Sequence, residues 1–339
     1  MTTRRNSNPE PTTEQIQSIL HSNNTASEKE RLFLSIGLQW YEASALARLS
    51  TPTITEGRPM TMADLVAEEL PNVETAQTIA PIDWAVELAG YTCGIEIECF
   101  AQRSRIIEAA RERQIDVFSE DYNHEDREYG FKLVSDGSLC GADNPVECVT
   151  NVLHYNESAD IMNRFCDALG SINTAVNKTC GLHIHVACEG LTAQQYCNTF
   201  VNYMYLSDLI ESALPLSRRG CGWAQRLNRH ESDVLNATNP SEMFDALNHD
   251  RYWQVNPAAW FRHHTIEFRQ HSATTEAEKI NNWCAFCTKL VWYSKNHRLT
   301  AETAPKTFDE IEFLTDSEKA YFNARVEKFS YLTQNQRVA

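Results

Sequence analysis

Gly94-Ile95-Glu96-Ile97-Glu98, Gly181-Leu182-His183-Ile184-His185-Val186 and Thr265-Ile266-Glu267-Phe268-Arg269 are the three stretches whose reading decides the fold. Each alternates polar and apolar residues with a period of two. In an extended strand, residues i and i+2 share a face and the residue between them points the other way. Glu96 therefore shares a face with Glu98, His183 with His185, and Glu267 with Arg269. Ile95, Ile97, Leu182, Ile184, Ile266 and Phe268 fall on the opposite faces. The pattern predicts strands with one apolar face for helices to cover. Their charged faces, once the strands pair, would line a site for cations and a polyanion.

Other elements are read outward from these strands. Residues 91–100 form the first strand, followed by a helix over 103–114 and an acidic loop over 116–128. Strands are expected over 129–135 and 145–150, a helix over 158–175, the histidine strand over 180–187 and a long helix over 192–214. An Arg-rich loop, 217–229, comes next, then strands over 252–256 and 265–270 and helices over 276–296 and 317–329. Ahead of them, residues 1–26 are polar with a short helical stretch near 15–20. Ser27 and Glu30 fit a capping box that opens a helix to about residue 49, and a further short helix ends near residue 70. The segment up to residue 88 has no clear period. This order of elements is α+β, with an antiparallel or mixed sheet. It divides the chain into an extension over 1–88, a catalytic domain over 89–300 and a helical segment over 301–339 that packs on that domain.

The bulk properties narrow the function classes. The chain has 339 residues and a net charge of −16, which disfavours nonspecific binding to nucleic acid or anionic membrane. No apolar run is long enough to span a bilayer. The first residues carry basic groups without a following apolar run, so no secretory signal is expected. Eleven cysteines without a framework point to reduced thiols and a cytoplasmic setting.

Taken singly, each motif has a plain alternative. Glu96 and Glu98 repel each other by about 1 to 4 kcal/mol at ~4 Å. Divalent cations would relieve that repulsion, but so would a solvated edge. His183 and His185 fit a metal or phosphate site, or a hydrogen-bonded core pair. Glu267 and Arg269 also fit a cross-strand ion pair. Glu147 adds an acid on a strand, and Asp136-Gly137-Ser138 is either presented to a site or an Asx-type turn. Arg218 and Arg251 suit carboxylate or phosphate recognition, with solvation or a surface salt bridge as the alternatives. Cys284 and Cys287 sit among apolar residues at helical spacing, which favours buried thiols over a redox or zinc pair. The recurrence of one face pattern in three strands favours a common site.

The order of these motifs resembles the amidoligase family, relatives of glutamine synthetase and glutamate–cysteine ligase. The matching residues are Gly94–Glu98, Asp136–Ser138, Glu147, Cys180–His185, Ser217-Arg218 and Glu267–Arg269, within about residues 90–297. The resemblance implies a glutamine-synthetase-like curved antiparallel or mixed sheet, with helices on one face and the active site on the other. It implies ATP held through Mg²⁺ or Mn²⁺, with Glu96, Glu98, Glu147, His183 and Glu267 at metal-ligand positions. His185 and Arg269 match positions that contact phosphates, with Arg218 and Ser138 as further candidate nucleotide contacts and Asp136 as a candidate base. One departure is visible: relatives carry a Ser-Pro pair two residues after the acid, and this chain has Val149-Thr150. The implied activity is an ATP-dependent carboxylate–amine ligase working through an acyl phosphate. Its partners would be a small-molecule or peptide carboxylate and an amine. The alternatives are a metal-dependent hydrolase using the same residues and a non-catalytic binding module.

Overall fold

In the computed structural model the described residues are 82–121 and 128–336, together with Ile19 and Leu32. The helices expected near 15–20, 27–49 and up to 70 lie outside the described residues. Trp84–Ala339 form one compact unit. Its eight strands are β1 Thr92–Phe100, β2 Val117–Ser119, β3 Phe131–Val134, β4 Pro145–Val149, β5 Leu153–His154, β6 Gly181–Ala187, β7 Val255–Asn256 and β8 Thr265–Ser272. They join in one sheet of order β2-β3-β4-β1-β6-β8-β7, with β5 also paired to β1. Every pairing is antiparallel except β2 with β3.

The helices are α1 Trp84–Glu87, α2 Arg103–Arg111, α3 Tyr155–Ser171, α4 Ala193–Ser212, α5 Glu231–Asn236, α6 Pro240–Ala246, α7 Ala259–His263, α8 Ala277–Tyr293 and α9 Asp316–Gln336. The α4 helix begins with a full capping box: Thr192 accepts from the Gln195 amide, and the Gln195 side chain accepts from the Thr192 amide. Asn239 caps α6, whose first position is Pro240, fixed at a helix-compatible φ. Three readings are corrected. The acidic loop contains β2, which gains parallel partners only because β3 lies beside it. The short α5, α6 and α7 were not legible, because one or two turns give too few residues to show a period. The strand expected over 252–256 shortens to β7, since Trp253 instead bridges Gln225.

Ile95, Ile97, Leu182, Ile184, Ile266 and Phe268 are all fully buried in one core with Tyr196, Phe200 and Tyr203 of α4 and Trp283, Phe286 and Leu290 of α8. Each such side chain contributes about 1.5–3 kcal/mol on burial. This orders the sheet with its apolar face on the helices and the charged face opposite. Phe322 of α9 enters the same core, and Arg325 Nε donates to the Ala213 carbonyl at 3.0 Å. Lys289 on α8 is buried and donates to both oxygens of Glu318 at 2.8 and 2.6 Å. Cys284 and Cys287 are buried thiols, with Cys284 Sγ 3.6 Å from Cys93 Sγ.

The β6–β8 ladder shifts register between Leu182 and Ile184: Leu182 faces His271, whereas Ile184 faces Phe268. β8 thus has an extra residue opposite His183, a bulge that breaks its alternation. Gln270 and His271 both reach helices, Gln270 through the Tyr203 hydroxyl and His271 through the Trp283 ring. Among the described residues no helix is long and apolar enough to cross a membrane.

Candidate active site

Strand pairing gathers the charged faces into rows. Glu96 lies opposite His183 on β6, and Glu98 lies opposite Glu147 on β4. His185 lies opposite Glu267 on β8, and Glu267 opposite Asn256 on β7. Four carboxylates, two imidazoles and Arg269 therefore meet on the face away from the core. His183 joins them. Its Nδ1 is 2.9 Å from Glu96 Oε2 and 3.7 Å from Glu267 Oε1, and its Nε2 is 3.8 Å from Glu98 Oε1. Two ligand-like groups share this ring. In the first, donor atoms of Glu96, His183 and Glu267 lie within 4.8 Å of one another; in the second, those of Glu98, Glu147 and His183 do.

The electrostatics match that crowding. Burial raises the Glu147 carboxyl well above its ordinary range, and Glu96, Glu98 and Asp136 push it the same way. Glu96 is half-buried, and the His185 and His183 rings outweigh its desolvation and hold it well below the usual range. Burial likewise opposes ionisation of Glu267, and Arg269, His185 and His183 bring it down to about 2. Burial would lower His185, yet Glu96 and Glu267 raise it to about 9, so it is cationic at neutral pH. His185 Nδ1 is 2.9 Å from the Thr265 hydroxyl, and Nε2 lies buried 3.3 Å from Glu96 Oε1 without hydrogen-bond geometry.

Two guanidiniums border the acids. Arg269 donates to Glu267 and lies over the Tyr252 ring, 5.9 Å from its centroid. Arg218 is buried and donates to the Cys180 carbonyl. The Nε–H of each is buried with no hydrogen-bond partner among the described residues. Gly181 completes the floor. Its amide donates to Glu98 Oε2, and a Cβ there would come 2.7 Å from His183 Nε2 and 3.3 Å from Glu98 Oε2. Only glycine leaves these two donor groups in place.

The structure brings together Glu96, Glu98, Glu147, His183, His185, Glu267 and Arg269, with Arg218 at the edge. Asp136 sits at the rim, close enough to act on Glu147, and accepts the Ser138 amide at 2.6 Å. That is the Asx-type turn, with Ser138 itself exposed. Arg251 lies against Tyr252, 5.1 Å from the ring centroid. Thr150 accepts the Ile95 amide on its hydroxyl at 2.9 Å. Sequence reasoning missed Asn256, which donates to Glu267 Oε2, and buried Lys132, which the β3–β4–β1 register puts in the row of Glu96. It also missed Thr265, although the alternation of β8 already put Thr265 on the face of Glu267.

A family model described as "Putative amidoligase enzyme" matches residues 89–291, a span that holds all eight strands and every acid and imidazole just placed. The chain belongs to the amidoligase family. No curated protein matches it. The description is that of a ligase-type enzyme that forms amide bonds. In this amidoligase, Glu96, Glu98, Glu147, His183, His185, Glu267 and Arg269, which carried the resemblance, converge on one face of the sheet.

Proposed function

We propose that the protein is an ATP-dependent carboxylate–amine ligase whose sheet is a variant of the curved glutamine-synthetase-like sheet. The observation that supports this most is the pair of acid clusters sharing His183, one of them fully buried, set beside a buried guanidinium with an unused N–H. The donor set fits divalent cations. It is dominated by hard carboxylate oxygens, as Mg²⁺ prefers, and its one shared imidazole is better tolerated by Mn²⁺. Glu147, whose carboxyl burial and the neighbouring acids raise well above its ordinary range, is a group that a cation would relieve.

Glu96 and Glu267 with His183 would hold one ion, and Glu98 with Glu147 would offer carboxylate oxygens to a second, His183 serving one ion at a time. Bound there, the ions would supply positive charge to the phosphate oxygens of ATP. The remaining work falls to side chains that position and stabilise, as phosphoryl transfer requires. A substrate carboxylate oxygen attacks the γ-phosphorus, the bond to ADP breaks, and an acyl phosphate forms. The amine then attacks the acyl carbon and inorganic phosphate leaves. Arg269 is braced by Glu267 and Tyr252, and its Nε–H donates to the transferring phosphoryl group. His185, beside Glu96 and Glu267, contacts the phosphate oxygens. Arg218 and Ser138 border the nucleotide, and Asp136 at the rim takes the amine proton. The substrates are a small-molecule or peptide carboxylate and an amine, and the free thiols suit a reducing cytoplasm.

The test is ADP release from ATP with Mg²⁺ or Mn²⁺, screened against pooled acids and amines. The reading expects release that needs divalent metal, an acid and an amine together. Hydrolysis of a substrate without nucleotide would replace it with the metal-dependent hydrolase.

A further inference from the structure

A second polar cluster lies on the helix side of the sheet, centred on Glu211 near the C-terminal end of α4. Glu211 is buried. Its Oε1 accepts from the Gly220 amide at 3.0 Å, Arg226 Nε at 3.0 Å, and Gln254 and Gln270 Nε2 at 3.2 Å each. Arg226 Nη2 donates to Oε2. The far ends of both glutamines are occupied as well. Gln270 Oε1 accepts the Tyr203 hydroxyl at 2.6 Å, and Gln254 Oε1 accepts the Ser207 hydroxyl at 2.9 Å.

The donors share one property. Each sits on a segment that carries a site guanidinium or is hydrogen-bonded through its backbone to one. Gly220 is two residues after Arg218. Gln270 follows Arg269 directly, at the β8 bulge, and its Nε2 also reaches the Arg218 carbonyl at 3.4 Å. The Gln254 carbonyl accepts the Arg269 amide at 2.9 Å. One carboxylate thus ties the 216–226 loop to the strand end that bears Arg269. Among the described residues the Arg218 guanidinium makes one hydrogen bond, to the carbonyl of Cys180 beside the glycine under His183, and its Nε–H is left without a partner.

We propose that Glu211 is a positioning residue: through Gly220, Arg226 and Gln270 it holds the Arg-bearing loop so that Arg218 presents its Nε–H to an oxyanion of the bound polyphosphate. This deepens the ligase reading and rests on it for the identity of the ligand. Charge is essential to the role. A glutamine at 211 would turn an N–H₂ group toward donors and release the Arg226 fork, while leaving the volume unchanged.

The test is calorimetric titration of ATP with Mg²⁺ into the full chain and its Glu211→Gln, Arg218→Gln and double variants. Each single change is expected to weaken binding by about tenfold, the worth of one charge-assisted hydrogen bond. The double variant should be no weaker than the worse single, because Glu211 acts through Arg218. Losses that multiply in the double variant would overturn the proposal. If Glu211→Gln does not fold, Arg226→Lys, at a partly exposed side chain, keeps the charge but loses the fork and must show the same non-additivity. If the unaltered protein binds no ATP, the ligase reading falls and hydrogen exchange judges Glu211 by itself. The Gly220 amide and its neighbours in the loop should then exchange faster in Glu211→Gln with β6 amides unchanged, and unchanged loop exchange would overturn the positioning role.

Discussion

Gly181 is where a single methyl group decides whether the acid clusters survive. A Cβ there would lie 2.7 Å from His183 Nε2, so the ring that both acid clusters share would have to shift. Gly181→Ala is expected to lower divalent-metal affinity by at least about tenfold, on the scale seen when a ligand's orientation is lost. Titration with Mn²⁺ measures this, and circular dichroism checks that the strand remains. Arg269 makes a different kind of contribution. Arg269→Lys keeps the charge but loses the planar fork that meets Glu267 and the unused Nε–H. Once substrates are in hand, kcat should fall by about tenfold or more with the Kd for ATP changed less. A loss confined to ATP affinity would make Arg269 a ground-state contact. At this scale the sequence was informative wherever alternation alone decides a face, as for Glu96, Glu98, His183 and His185. It was silent where a contact depends on which strand becomes the neighbour, as for Asn256 on Glu267 and Cys180 on Arg218.

The β1–β4 pairing depends on Thr150, just past the end of β4. The Thr150 hydroxyl accepts the buried Ile95 amide, and the Thr150 amide donates to the Ile95 carbonyl at 3.0 Å. Thr150→Val keeps the shape but strands a buried N–H. It should destabilise the fold by about 1–3 kcal/mol, while Thr150→Ser stays near the parent. Urea unfolding with an unchanged m-value is the check. Other elements show why the long ones were legible. α4 announces itself through Thr192 with Gln195 and through Tyr196, Phe200 and Tyr203 at helical spacing. The β8 bulge left no such mark, since Thr265–Gln270 reads as unbroken alternation. Only the Leu182–His271 register reveals that Gln270 leaves the site face to join Glu211.

Across the whole molecule, the α+β order and the two-faced sheet follow from three alternating stretches, because burying one face of each strand fixes the other. The partners of the helices do not follow, since they depend on packing across sequence separations that no local pattern records. Stability against acid is one global consequence. Burial, with Arg325 and Arg218 nearby, lowers His271 from 6.5 to about 3, so the native ring stays neutral while the unfolded one gains a proton. Its share of stability is complete above the unfolded value and is lost as pH falls from 6.5 toward 3, by up to about 1.4 kcal/mol per pH unit. His271→Gln should therefore unfold less steeply between pH 7 and 4 than the parent, and equal slopes would place the acid sensitivity elsewhere. The central claim is chemical, and one label decides it. An acid substrate carrying ¹⁸O in its carboxylate is turned over with ATP, divalent metal and amine, and the released phosphate is weighed. The account predicts one carboxylate oxygen in the phosphate for each amide formed; amide formed with unlabelled phosphate would contradict the acyl-phosphate route.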